Sequence, residues 1–268
     1  MTNIVSFPKL GLTFTLNRAA LKIAGLEIYW YGILIAFGLL LAILYGVYES
    51  KKVKLDTDDL FNMILIALPV AIICARAYYV IFSWDSYRSD LMSVFDIRSG
   101  GLAIYGGIIG AALVVILYCR KKKINIGTVL DILAIGLLIG QVIGRWGNFI
   151  NGEAFGSATN LPWAMTIENE GEIVAKSVHP TFLYESIWNF IGIIVLLAYK
   201  KIRKFNGEIL CCYLVWYGAG RALIEGLRAD SLYIGNIRVS QLLAVVCFLS
   251  GIILIIYNRC IKIKSGND

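Results

Sequence analysis

The stretch that decides the fold is residues 28–48, IYWYGILIAFGLLLAILYGVY, which has 21 residues and no charge. A helix rises about 1.5 Å per residue, so about 20 apolar residues cross the roughly 30 Å hydrocarbon core of a bilayer. The sequence therefore predicts a membrane-spanning helix over this stretch. Residues 1–21 lack the basic start and apolar core of a signal peptide, so we expect this first helix to direct insertion into the membrane.

Six further apolar segments follow, each bounded by charged or turn-forming residues. They are residues 60–82, 102–118, 129–143, 181–199, 209–227 and 240–257. The composition agrees, because 59% of the residues are hydrophobic, only 16% are charged, and the mean hydropathy is +0.74. A soluble domain needs more charge to keep its surface hydrated. We therefore predict an all-α integral membrane protein with about seven transmembrane helices in one bundle, a single polytopic domain over residues 1–268.

One segment between predicted helices is too long and too polar to be a simple connection. Residues 146–180 are rich in Asn, Gly, Glu and aromatics, and we predict that they form a small external head. Within them, residues 163–167 and 173–178 flank the turn-like ENEGE at 168–172, a pattern compatible with a β-hairpin on the membrane surface.

Small residues in the fourth predicted helix indicate close packing. Gly136, Gly140 and Gly144 recur at every fourth position, so they lie on one face of that helix. Such a face allows a neighbouring helix to approach closely, and it also gives room for a polar group to reach into a cavity.

Basic residues set the orientation of the helices. Fourteen of the 25 Lys and Arg residues fall in residues 51–54, 120–123, 200–204 and 259–264, which follow the first, third, fifth and seventh helices. The opposite side holds eight: Lys9, Arg18, Lys22, Arg88, Arg98, Lys176, Arg228 and Arg238. Because cytoplasmic loops carry an excess of Lys and Arg, we place the amino terminus outside and the carboxyl terminus in the cytoplasm. The net charge of +7 then reflects loops that face anionic lipid, not a surface for nucleic acid.

The six cysteines do not suggest a metal site. They lie in predicted helices or near their cytoplasmic ends, and the chain has one histidine in total. We therefore predict neither a disulfide framework nor a structural zinc site.

Three arginines remain inside predicted helices, which is expensive in a bilayer and usually marks a function or a partner. Arg76, Arg145 and Arg221 each lie near the outward end of a helix, as do Glu153, Glu185 and Glu225. One interpretation is that the charges pair with one another and only fix helix packing. The other is that the arginines bind an anionic group, since a guanidinium donates paired hydrogen bonds to phosphate and stays charged.

Residues 144–156, GRWGNFINGEAFG, favour the second interpretation. Asn148, Asn151 and Glu153 can satisfy hydroxyl groups, and the glycines allow a ligand to approach closely. This run resembles the signature of bacterial prolipoprotein diacylglyceryl transferases. The resemblance covers nearly the whole chain and continues in IYWYG (28–32), GGLAIYGGIIG (100–110), HPTFLYE (179–185) and GRALIE (220–225).

The resemblance implies a membrane transferase of the bacterial inner membrane. The family moves a diacylglyceryl group from phosphatidylglycerol to the lipobox cysteine thiol of a preprolipoprotein signal peptide, forming a thioether and releasing glycerol phosphate. The expected partners are therefore phosphatidylglycerol, lipobox-bearing signal peptides and membrane lipid. No cofactor or metal is implied, and the reacting cysteine belongs to the substrate.

The resemblance also assigns roles to residues. Arg145 and Arg221 would stabilise the charge that develops on the departing phosphate, and Asn148 and Glu153 would position the headgroup. Glu225 would orient Arg221, and Tyr31 would line the cavity or serve as a membrane-belt aromatic. The remaining candidates for substrate binding are Asn151, Gly156, Arg76 and His179, with His179 equally suited to a structural cap.

One position departs from the family pattern. Many members have histidine before the paired glycines of the third helix, where this chain has Tyr105. The pKa of tyrosine is ordinarily near about 10, so it is a poorer base than histidine at neutral pH. Nearby arginines could shift Tyr105, or the thiol proton could leave through water or a carboxylate such as Glu153. We predict that Tyr105 acts in the site as a hydrogen-bonding group and leave the general base unassigned.

Two other classes of protein also hold charged residues inside membrane helices. A transporter of a small anionic solute would use the same buried arginines, but the chain lacks the internal repeat and matched broken helices of many transporters. A phosphatidyltransferase or a membrane aspartyl peptidase needs paired carboxylates, whereas Asp131 is the only aspartate in the predicted spans.

Overall fold

A computed structural model describes residues 2–23, 25–97, 100–169, 171–229, 233–235 and 237–265. Arg98 and residue 170 of the predicted turn lie outside the described residues, as do the side chains of two of the basic residues in 259–264, Lys262 and Lys264. The chain divides into two units, Met1–Gly46 with Leu130–Asp268, and Val47–Val129.

Helices dominate both units. They are α1 (Trp30–Lys52), α2 (Thr57–Phe82), α3 (Trp84–Tyr87), α4 (Ile104–Lys122), α5 (Ile126–Asn151), α6 (Thr181–Tyr199), α7 (Glu208–Glu225) and α8 (Val239–Ser265). Six of the described helices are long and apolar enough to cross a membrane, and α7 is the long helix outside this set. It has 18 residues but carries Glu208, Arg221 and Glu225. The predicted fold class is confirmed, and the predicted count of seven spans is approximate.

The apolar side chains of the long helices face outward. On α2, Leu65, Ile73, Ile81 and Phe82 are each about two-thirds or more exposed, from 67% to 73%. Contiguous apolar surface of this extent is costly in water and suits contact with lipid chains. The protein is therefore a multi-pass membrane protein.

In the described part of the first unit, the strands form three small antiparallel sheets. They are β1 (Thr2–Phe7), β2 (Leu12–Asn17), β3 (Ala19–Ile23), β4 (Leu26–Tyr29), β5 (Met165–Asn169), β6 (Glu172–Val178), β7 (Tyr233–Ile234) and β8 (Ile237–Arg238). The predicted hairpin is present as β5 and β6, and it belongs to a four-stranded sheet of order β2-β1-β5-β6. Its core contains Val5, Phe7, Met165 and Ile167. The amino-terminal strands of this head were not predicted.

Helix α5 differs from its predicted bounds, since it continues to Asn151 instead of ending at residue 143. Its glycine face packs on α1, where Gly140 Cα lies 3.4 Å from a Cβ placed on Gly38. A Cβ on Gly144 would lie 3.3 Å from Ile35 Cδ1, and one on Gly147 would lie 2.9 Å from Tyr31 Cε2. Close packing of the glycine face is thus confirmed, and the same packing supports the extra turns of α5.

Helices α6 and α7 are joined by two tryptophans. The indole of Trp188 donates to the carbonyl of Trp216 at 3.0 Å, and Trp216 donates in return to the carbonyl of Trp188, also at 3.0 Å. Gly192 and Gly220 leave space for the rings, because a Cβ on either would lie 2.7 Å or less from the facing indole. This contact fixes how α6 and α7 face each other.

The end of the first unit that holds the starts of α5 and α7 is tied by buried carboxylates. Asp131 accepts hydrogen bonds from Gly207 N at 2.9 Å, Leu210 N at 3.0 Å and Arg203 Nη1 at 3.0 Å. Glu208 is fully buried and lies 2.6 Å from Arg259 Nη2. Donors from the protein hold both carboxylates, which favours a structural role for this end.

Candidate active site

The opposite ends of α5, α6 and α7 bring together a second cluster of charges, centred on Glu185. Its carboxylate lies 2.5 Å from Arg145 Nη2, 3.2 Å from Arg221 Nη1 and 3.5 Å from Arg228 Nη1. Glu185 is only 5% exposed, so this carboxylate holds three guanidinium groups in a nearly dry setting. Glu185 is one of the charges predicted inside a helix, but it was not among the predicted site residues.

Helix α7 supplies a second carboxylate to the cluster. Arg221 and Glu225 are one turn apart, and Arg221 Nη2 lies 2.8 Å from Glu225 Oε2. No N–H points along this line, so the contact is an ion pair without an aligned hydrogen bond. The backbone carbonyl of Glu225 also accepts a hydrogen bond from Arg238. The predicted pairing of Glu225 with Arg221 is therefore present.

Polar side chains extend the cluster along the last turn of α5. Arg145 Nη1 donates to Asn148 Oδ1 at 3.4 Å, and Asn148 Nδ2 donates to Glu153 Oε1 at 3.0 Å. Asn151 Nδ2 donates to the same oxygen at 3.2 Å. Glu153 is exposed. This network runs from the partly buried Arg145 to solvent and contains four of the predicted site residues.

Gly156 joins three parts of the site by backbone contacts. Its N–H donates to the His179 carbonyl at 2.9 Å, and it pairs with Arg228 in an isolated bridge. A Cβ here would lie 2.6 Å from His179 Cβ and 2.9 Å from the Leu227 carbonyl, so only glycine fits. His179 also has a ring contact, with Nδ1 3.2 Å from the Tyr184 hydroxyl. In this structure Gly156 and His179 shape the segment that carries Arg228.

Tyr31 packs its ring on Gly147 of α5, two residues after Arg145, and is 38% exposed. Two further candidates, Tyr105 and Arg76, belong to the second unit. Tyr105 lies against Tyr78, with ring centroids 6.4 Å apart, and Arg76 is bonded to a loop of its own unit. Their roles toward substrate stay predictions.

The cluster is rich in guanidinium groups. Three arginines and two glutamates are in direct contact. Beside them, a recess between α6 and α7 is lined by Glu185, Trp188, Asn189, Tyr217, Gly220, Arg221 and Ile224. Guanidinium groups donate paired hydrogen bonds to phosphate and stay charged. The arrangement suits an anionic group flanked by apolar chains.

Sequence reasoning missed Arg228, which it counted only as an outer basic residue. Arg228 and Glu185 are 43 positions apart in sequence, and the residues around Arg228 give no local sign of this ion pair. For Glu185 a signal existed, because a lone carboxylate inside the apolar residues 181–199 is itself unusual.

The fold and the site define a class: a multi-pass membrane protein with an arginine–carboxylate cluster at one end of its helices. The model of one family, described as prolipoprotein diacylglyceryl transferase, matches residues 18–257. The chain belongs to this family.

Relatives from several bacteria agree with that assignment, and each is named phosphatidylglycerol–prolipoprotein diacylglyceryl transferase. A Finegoldia magna protein is 48% identical over 251 residues, which are 93% of this chain and 99% of that protein. A Clostridioides difficile protein is 45% identical over 242 residues, 90% and 95% of the two chains. A Bacillus cereus protein is 41% identical over 256 residues, 93% and 95% of the two chains.

Proposed function

We propose that this chain transfers the diacylglyceryl group of phosphatidylglycerol to the cysteine thiol of a prolipoprotein lipobox. The observation that carries the proposal is the cluster of Arg145, Arg221 and Arg228 around Glu185. A phosphodiester headgroup carries one negative charge and accepts charge-assisted hydrogen bonds from guanidinium groups. The names of the relatives supply the two substrates.

In the reaction, the thiolate sulfur attacks the glyceryl carbon that bears the phosphate ester. A carbon–sulfur bond forms, the carbon–oxygen bond breaks, and its electron pair goes to the phosphate oxygen. Glycerol phosphate leaves with one more negative charge than the diester carried, and the thiol proton passes to a base. Arg145 and Arg221 stabilise the developing charge, and Asn148, Asn151 and Glu153 hold the headgroup hydroxyls.

The test is incubation of the purified protein with phosphatidylglycerol vesicles and a synthetic lipobox peptide, followed by mass spectrometry. The peptide should gain the mass of one diacylglyceryl group, and a peptide with serine at the lipobox cysteine should gain none. An unmodified cysteine peptide would refute the transfer. No feature of the described residues favours the alternative, a transporter of small anions.

Tyr105 gives a separate prediction about the base. If it only orients a group by one hydrogen bond, Tyr105→Phe should lower turnover about tenfold, in line with roughly 0.5–1.5 kcal/mol for a neutral hydrogen bond. We expect this milder result, and we expect Tyr105→His to retain substantial activity, since histidine donates or accepts near neutral pH. Turnover against pH for both variants is the measurement. A loss beyond about a hundredfold for the phenylalanine variant would identify Tyr105 as the base.

The proposed location is the inner membrane of a bacterium, with the amino terminus outside and the carboxyl terminus in the cytoplasm. One observation supports this location. Strand β1 pairs with β5, so the amino-terminal strand and the 146–180 segment lie on the same side of the first unit. The basic cluster at residues 200–204 follows α6, at the end of that helix away from β6.

Reporter fusions test this topology. A reporter placed between Lys121 and Lys122, or after Lys264, should read as cytoplasmic, because basic loops are retained inside. A reporter inserted at residues 168–172 should read as external. Exchange of these outcomes would put the arginine cluster at the wrong face of the membrane for a secreted substrate.

A further inference from the structure

Arg76 occupies an unusual environment in the second unit. It is 6% exposed, and its guanidinium donates to four backbone carbonyls: Val94 through Nε at 2.8 Å, Ser93 through Nη2 at 2.7 Å, and Gly100 and Gly101 through Nη1 at 2.9 and 3.0 Å. The ring of Tyr87 covers the guanidinium carbon at 5.0 Å. Four of the five N–H groups of this side chain are thus used within the protein.

The four acceptors belong to the loop that precedes α4. Gly100 and Gly101 have φ of +96° and +73°, which turns both carbonyls toward Arg76. A Cβ on Gly101 would lie 2.9 Å from Tyr79 Cε1 and would also strike Arg76 Nη1, whereas a Cβ on Gly100 would meet nothing within 4 Å. The backbone is therefore packed tightly against Arg76 at Gly101, whereas Gly100 has open space beside it.

The start of α4 depends on the same contacts. No side chain caps this helix, and its N-cap residue, Ala103, instead donates its N–H to the Ala75 carbonyl at 3.0 Å. Ala75 and Arg76 are adjacent on α2, so one turn of α2 holds both the loop and the first residue before α4. Tyr105 is the second residue of α4.

We infer that Arg76 is a positioning residue for the reaction: it fixes loop residues 93, 94, 100 and 101 and the start of α4, and thereby determines the position of Tyr105. This role replaces the direct contact with substrate that the sequence predicts for Arg76. The inference rests on the proposed function for the part played by Tyr105, but the fixing of the loop is a property of the fold alone.

Two measurements on Arg76→Lys test the inference. Lysine keeps the charge but cannot reach four carbonyls with one ammonium group. Hydrogen exchange of the backbone at residues 91–103, measured by mass spectrometry in lipid nanodiscs, should become faster in this variant. Turnover should fall about tenfold, while the KM for phosphatidylglycerol stays within about twofold, because the headgroup contact is unchanged.

A double variant separates positioning from direct binding. In the Arg76→Lys background, Tyr105→Phe should lower turnover by less than about twofold, since Tyr105 is already displaced. If Tyr105→Phe instead had its full effect in that background, or if Arg76→Lys raised the KM about tenfold or more, Arg76 would act on substrate by itself and the inference would be wrong.

Gly101→Ala and Gly100→Ala form a matched pair that leaves Arg76 in place. Both place alanine at positive φ, but only Gly101→Ala crowds Arg76, so only it should reproduce the faster exchange and the loss of turnover. Equal effects of the two alanines would overturn the inference. Failure of the wild-type protein to modify the lipobox peptide would instead remove the proposed function, while hydrogen exchange would still decide whether Arg76 holds the loop.

Discussion

Replacement of Arg145 by lysine will lower turnover almost as far as replacement by alanine, by about a hundredfold or more, the loss typical of removing one preorganised donor to a developing oxyanion. Arg145 uses separate nitrogens for Glu185, at 2.5 Å, and for Asn148, at 3.4 Å. An ammonium group cannot span these two partners and still face a phosphate.

The measurement is turnover with phosphatidylglycerol at matched amounts of membrane protein. The control is Arg120→Lys, an exposed arginine in the last turn of α4, which should leave turnover unchanged. Recovery of most of the activity by Arg145→Lys would mean that charge alone suffices, and the argument from the geometry of the guanidinium would fail.

Glu185→Gln will destabilise the protein and make its stability depend on anionic lipid. The substitution removes the carboxylate that separates three guanidinium groups, and breaking a buried ion pair costs about 3–5 kcal/mol. Phosphatidylglycerol should restore part of this loss, because its phosphodiester replaces the missing charge by binding to the folded state.

Glu208→Gln is the matched control for this prediction. Glu208 is also a buried carboxylate, 2.6 Å from Arg259, but it lies at the other end of α7. Thermal unfolding is measured in detergent, with and without added phosphatidylglycerol. The lipid should raise the Tm of Glu185→Gln by more than it raises the Tm of Glu208→Gln. Equal responses to the lipid would contradict a headgroup site at Glu185.

The sequence predicts those features that depend on local pattern. Apolar segments locate the helices, the residues around 168–172 locate the hairpin of β5 and β6, and Gly140 and Gly144 mark the face that packs on α1. Arg145, Arg221 and Glu225 are predictable because charges in an apolar helix are costly, and the structure brings these three together around Glu185.

Features that depend on distant pairing were not predictable in this way. The pairing of β1 with β5 joins Ile4 to Glu168. The ion pair of Arg228 with Glu185 joins residues on α6 and after α7, with the whole of α7 between them in sequence. Periodicity reports which face of an element is apolar, but not which distant element covers it. Arg76 shows the same limit, since its carbonyl partners are backbone atoms that no residue type reveals.

The most direct test of the central claim is a binding measurement on the arginine cluster. Native mass spectrometry of the purified protein, titrated with phosphatidylglycerol, should show lipid retained by the wild type and retained at least about tenfold more weakly by the Arg145→Ala, Arg221→Ala double variant, since charge-assisted bonds to phosphate are about twice as strong as neutral ones. Thermal unfolding establishes that the double variant is folded. If the folded double variant retained phosphatidylglycerol as strongly as the wild type, the arginine cluster would not be the headgroup site.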